Sequence, residues 1–112
     1  MVAVKLDLIG DNSVEVGADY SRQITVCNQP DLTLYVGTSQ IRNSKDEVIL
    51  SPIIVVQSPT IFAINLTSIN TALLRLVVGD LVYDVMFSKT NHKFYSVRGK
   101  LTFINGITRI VV

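Results

Sequence analysis

The chain has 112 residues, 48% of them apolar and 17% charged, with a formal net charge of +1. A chain of this size holds one ordinary core and not two, and its apolar share is enough to offset conformational entropy, which excludes a disordered tail and predicts a single domain over residues 1–112. The near-neutral charge excludes the strong basic footprint of a nucleic-acid binder, and a charged fraction below the usual share of about a quarter leaves apolar surface for a partner.

Taken in chain order, the dominant period is two, the spacing that sends alternate side chains to opposite faces of a sheet. Val4-Lys5-Leu6-Asp7-Leu8 alternates and stops at the turn formers Gly10-Asp11-Asn12-Ser13. Its charges interrupt the apolar run too early for a signal peptide, and no run approaches the roughly 18 apolar residues of a membrane span. A soluble protein made in a cytoplasm is expected. Arg22 to Cys27 alternates again up to the turn Asn28-Gln29-Pro30-Asp31. Cys27, the single cysteine, is expected as a small buried hydrophobe, since alone it forms no internal disulfide. Leu32 to Val36 is expected to run on as strand past a bulge at Gly37 to Arg42, closed by the turn Asn43-Ser44-Lys45-Asp46.

Val48 to Val56 is the most apolar stretch, but Pro52 removes a ladder donor and breaks it or sends it to a sheet edge. Ile61 to Leu66 is a further strand. The Asn65-Leu66-Thr67 sequon carries no weight without a secretory route. Thr67 to Leu74 opens on capping residues and continues with helix formers, so one short helix is expected there. Leu81 to Phe87 places Tyr83, Val85 and Phe87 on one face. Ser88 to His92 makes a polar turn, and Tyr95 to Phe103 returns, with Ser96, Arg98 and Lys100 expected opposite Tyr95, Val97 and Leu101. The fold class is therefore all-β, an antiparallel β-sandwich of immunoglobulin-like or jelly-roll-like kind, with a barrel as the alternative.

Two features bear on association. Residues 1–84 carry five bases and nine acids, 5 − 9 = −4, whereas residues 85–112 carry five bases and no acid, +5. Such segregation fits acidic and basic strands lying side by side, or complementary surfaces on neighbouring subunits. The chain ends in Ile107-Thr108-Arg109-Ile110-Val111-Val112, an apolar, β-prone segment. It is either an inner strand or an edge that pairs with a neighbouring subunit, which makes Ile107, Arg109, Ile110, Val111 and Val112 the candidate subunit-interface residues.

Chemistry-bearing groups are sparse. His92 sits alone in a polar turn, with no second imidazole or thiol to share a metal and no triad pattern beside it. Asp46-Glu47 is a solvated turn pair, Asp11-Asn12 lacks the spacing of a calcium loop, and no glycine-rich phosphate loop occurs. No catalytic, metal-binding or cofactor-binding residue is assigned, no cofactor is expected, and neither nucleic acid, membrane nor small-molecule substrate is expected as a partner. Lys93, Arg98 and Lys100 interleave with Phe94, Tyr95 and Phe103, but simple alternation puts Tyr95 opposite the two later bases. A sugar site built on the loops around Asn12, Ser44 and His92 is the alternative, although the chain has no tryptophan for stacking.

Read as an ordered series, Ile24-Thr25-Val26, Asp31-Leu32-Thr33, Gln40-Ile41-Arg42, Leu66-Thr67, Thr71-Ala72-Leu73-Leu74, Gly79 to Val85, Arg98 to Thr102 and Gly106-Ile107-Thr108-Arg109 resemble a β-sandwich domain. That domain recurs in tailed-bacteriophage virion proteins, at the start of baseplate and tail-fibre subunits. The series spans roughly Val14 to Arg109, and it departs from the family pattern at Leu34, where a glycine is common. The resemblance implies a free-standing, non-enzymatic virion subunit of tail, baseplate, fibre adaptor or capsid surface. It also implies partners that are other virion proteins and copies of itself, and localisation in the virion after assembly in a host cytoplasm. Gly79-Asp80 reads as a tight turn, and Gly99 as the point where another backbone, or a neighbour such as Tyr83, approaches closely.

Overall fold

The computed structural model describes residues 3–9, 13–77 and 80–105. Among these, ten strands form: β1 (Val4–Lys5), β2 (Val14–Val16), β3 (Tyr20–Thr25), β4 (Val36–Arg42), β5 (Val48–Leu50), β6 (Ile53–Ser58), β7 (Ile61–Leu66), β8 (Leu81–Lys89), β9 (His92–Leu101) and β10 (Phe103–Asn105). They build a five-stranded sheet in the order β1-β9-β8-β4-β5, a three-stranded sheet β3-β7-β6, and a two-stranded ribbon β10-β2. The two larger sheets pack against each other, giving the all-β sandwich that the period-two pattern predicts. Short helix α1 (Ser68–Ala72) continues into a 3-10 turn, Leu73–Leu76, and Thr67 caps it by accepting from the Asn70 amide.

Alternation supplies the core. Leu81, Tyr83, Val85 and Phe87 of β8 are all buried, and across the sandwich they meet Phe62, Ile64 and Leu66 of β7. Phe62 and Phe87 touch edge to face with ring centres 5.2 Å apart, a geometry that the ring quadrupoles favour. Gly37 is no bulge. It stays in register opposite Phe87, and a side chain there would run into Ile54 and Phe87, so its role is to let the two sheets close. The irregularity in β4 lies instead at Ile41/Arg42, against β5.

Pro52 acts as expected, dividing its apolar stretch into β5 and β6, which become edges of different sheets. The turn clusters place Asn28 (φ 57°), Asp46 (φ 63°) and Asn91 (φ 61°) in the left-handed region, which short polar side chains tolerate. Leu32–Leu34 departs from the strand expected there and forms a 3-10 turn. The Asp31 carboxylate accepts from both the Thr33 amide and the Thr33 hydroxyl, offering the backbone a local alternative to a ladder. Cys27 also departs from expectation, being exposed. Ile24 and Val26 point into the core, so strict parity turns residue 27 outward.

The antiparallel pattern gives way at the amino-terminal strands. β1 pairs parallel with β9 (Val4 opposite Val97), and β2 pairs parallel with β10. The Leu6 amide donates to the Arg98 carbonyl at 2.9 Å and the Leu8 amide to that of Lys100 at 2.7 Å, continuing the ladder. Gly99 does what its sequence context predicts, because a side chain there would occupy the place of the Leu6 carbonyl. Tyr83, opposite Gly99 on β8, donates its hydroxyl to that same carbonyl at 2.6 Å. Burial, then the neighbouring Tyr20 hydroxyl, push the Tyr83 phenol above its ordinary pKa, so it keeps this proton at physiological pH.

Candidate functional site

The two large sheets turn outer faces of unlike character to solvent. On the five-stranded sheet a broad groove of about 1040 Å³ runs over β4, β8 and β9, bounded by Lys5 and Asp7 on one side and by Ser51 to Ile54 on the other. Ladder register sets its floor. Gln40 of β4, Asp84 of β8 and Arg98 of β9 form one row, Arg42, Val82 and Lys100 the next, and Thr38, Met86 and Tyr95 a third.

Tyr95 shares this face with Arg98 because β9 contains a bulge. Val85 pairs with Val97 but Met86 pairs with Tyr95, leaving Ser96 as the extra residue. The expected alternation therefore fails at one position: Ser96 and Val97 both point inward and are buried, and Tyr95 turns out beside Arg98 and Lys100. Gln29 holds the bulge by accepting from the Ser96 hydroxyl at 2.6 Å and donating to the Ser96 carbonyl at 3.2 Å. The Arg98 guanidinium lies over the Tyr95 ring, 4.1 Å from its centre, a cation–π contact.

Charge along this face is mixed. Acid-rich and base-rich parts of the chain meet within it, since Asp84 faces Arg98 across the ladder and the Asp7 carboxylate accepts from the Lys100 amide at 2.8 Å. Arg42 is held by the Gln40 side-chain oxygen at 2.6 Å and the Asp46 carbonyl at 2.8 Å. Burial pushes the Asp84 carboxyl above the ordinary range, with Arg98 and then Arg42 drawing it back. The folded state thus keeps the Asp84 proton to a higher pH than the unfolded chain, and this group's contribution to stability declines as pH rises from the ordinary carboxyl range through the raised value. Asp84→Asn should therefore stabilise the fold at neutral pH and lose that advantage in acid, a difference read from thermal midpoints of both proteins at the two pH values. Equal shifts at both would contradict the assignment.

The three-stranded sheet is different. Ser21, Gln23 and Thr25 of β3, Ile61, Ala63 and Asn65 of β7, and Ile53, Val55 and Gln57 of β6 make up its outer face, and none is charged. The Ser21 hydroxyl donates to the Asn65 side chain at 2.6 Å, and Gln23 donates to Gln57 at 2.7 Å over Ala63. Ile53 and Val55 remain 58% and 44% exposed. Among the described residues β6 is also an edge strand, six residues long and free of charge, whereas the opposite edge β3 carries Arg22 and the edges β1 and β5 of the other large sheet are only two and three residues long. A long uncharged edge is the kind that natural sheets otherwise block.

The interface residues expected from sequence, Ile107, Arg109, Ile110, Val111 and Val112, lie outside the described residues, as do Asn12 and Gly79. Ser44 and His92 do not converge. Ser44 follows the end of β4, whereas His92 lies beside the start of that strand, where its Nδ1 shares a 2.7 Å hydrogen bond with the Tyr35 hydroxyl. Among the described residues no three of His, Cys, Asp and Glu come together as a metal-binding group, and no helix is long and apolar enough to cross a membrane. Neither known protein-family models nor curated protein sequences give a match to the chain.

Proposed function

We propose that this chain is a non-enzymatic assembly module that multimerises with copies of itself through the outer face of the three-stranded sheet and its β6 edge, which is unpaired among the described residues. The observation that carries the reading is β6: a six-residue, charge-free edge strand with Ile53 and Val55 exposed beside an uncharged face. A twofold interface sets the same patch against itself, so a patch of one charge sign would repel its copy and a face without charge can meet itself at no such cost. β6 to β6 pairing would also satisfy the edge amides and carbonyls with a ladder.

Light scattering across a concentration range tests this. The parent protein is expected to associate, and Val55→Lys, which sets a solvent-exposed charge on the edge, should return it to monomer with little change in thermal midpoint. A parent that stays monomeric throughout removes the proposal. We place the module in the particle of a tailed bacteriophage, as a tail, baseplate, fibre-adaptor or capsid-surface subunit, on the residue series from Ile24 to Arg109 that resembles such domains. Labelling of purified particles by an antibody to the folded domain supports that placement, and particles that are complete without it refute it.

A further inference from the structure

We propose that the groove on the outer face of the five-stranded sheet binds a neutral carbohydrate chain, with Asp84 accepting from sugar hydroxyls, Arg98, Lys100 and the Gln40 amide donating to them, and Met86 and Tyr95 meeting the apolar side of a ring. This does not rest on the assembly reading, which concerns the other sheet, although Ile53 of β6 borders both the groove and that edge.

The polar row is arranged for a ligand rather than for itself. Asp84 is half-buried and faces Arg98 across the ladder, yet among the described residues its carboxylate has no hydrogen-bond partner and no ion pair within 4.0 Å. The carboxylate is only partly withdrawn from water, so its acceptor sites stay open to the donors of a ligand that displaces that water, and partial burial raises its pKa. Its neighbours are held in place beforehand. Arg98 is laid against Tyr95, and Gln40 gives its oxygen to Arg42, which leaves the amide nitrogen of Gln40 as a donor. Strands about 4.8 Å apart set donor, acceptor and donor across roughly 10 Å of sheet, and the apolar pair Met86 and Tyr95 lies in the adjoining row. Sugar hydroxyls donate and accept from one ring, which suits this alternation.

Other polymers fit less well. Phosphates of a nucleic acid would meet Asp7, Asp46 and Asp84 in the same groove. A peptide that adds as a strand needs a backbone edge, and the floor here consists of side chains standing on paired strands.

The test is amide chemical-shift mapping of the full chain with linear hexasaccharides of glucose, mannose, galactose and N-acetylglucosamine, each at millimolar concentration, followed by calorimetry. At least one is expected to shift residues around Gln40, Asp84, Tyr95 and Arg98. Asp84→Asn and Arg98→Ala should each weaken that binding about tenfold or more, the loss typical of one charge-assisted hydrogen bond. The folded state of each variant is checked by its amide spectrum, and Val55→Lys should bind as the parent does. Shifts elsewhere, no shifts with any of the four sugars, or shifts only with a salt-sensitive polyanion such as oligo-dT would overturn the proposal.

Discussion

Gly99→Ala is expected to cost about 3 kcal/mol, the upper end for forcing an extra methyl into a packed site, because the neighbour it meets is backbone. The added carbon would fall on the Leu6 carbonyl, close to the Asp7 amide as well, and neither can rotate away as a side-chain tip does. β1 would have to leave β9, breaking the Leu6 to Arg98 and Leu8 to Lys100 bonds and stranding the Tyr83 hydroxyl without its acceptor. Denaturant titration gives the loss of stability. Faster hydrogen exchange at Leu6 and Leu8, with the amides of β7 protected, would show that the damage begins at this strand. Gly37→Ala is the internal control, since its new methyl meets the Ile54 and Phe87 side chains. These shift more cheaply, so the cost there should be the smaller of the two. If Gly37→Ala proves the more damaging, the account of Gly99 is wrong.

Phe87→Ala is expected to cost about 3–5 kcal/mol, as removal of a fully buried aromatic ring does. Phe87 is fully buried and sits at the join of the two sheets, edge to face with Phe62 and stacked on Phe94 with centres 5.8 Å apart. Its loss opens a cavity that Gly37, with no side chain, cannot fill. The chain continues from there to Tyr35 and His92, so near-ultraviolet circular dichroism should lose intensity along with stability. A cost under about 1 kcal/mol would mean that the sheets collapse onto the gap.

Much of this architecture is legible in the residues one at a time. Leu81 to Phe87 announces itself by alternation, Ile61 to Leu66 by a short apolar run, Thr67 by its capping hydroxyl, Pro52 by the donor it lacks, and Gly99 by its place in a strand opposite a tyrosine. What the sequence hides is non-local. The bulge at Ser96 depends on Gln29, 67 positions away, and nothing in Tyr95-Ser96-Val97 marks the extra residue. That one shift decides whether Tyr95 joins Arg98, and with it whether the groove has an aromatic ring on its floor. The 3-10 turn at Leu32–Leu34 is hidden differently: its residues are good strand formers, overruled by the Asp31 side chain. For Cys27 the pattern is present, because counting from Ile24 and Val26 turns it outward, although free cysteine is among the most often buried residue types. The uncharged outer face of the three-stranded sheet emerges only when β3, β7 and β6 are aligned, since Arg22 and its neighbours read as an ordinary polar strand until register turns that arginine inward.

The parallel pairing of β1 with β9 joins residue 4 to residue 97. During synthesis β1 is made long before β9, so it must wait until residue 97 has left the ribosome before it can find its place. The three-stranded sheet needs nothing beyond residue 66 and can assemble earlier. A nascent chain would thus present the edge of β6 while its larger sheet is still incomplete, the stage at which an unpaired strand edge is most open to a wrong partner.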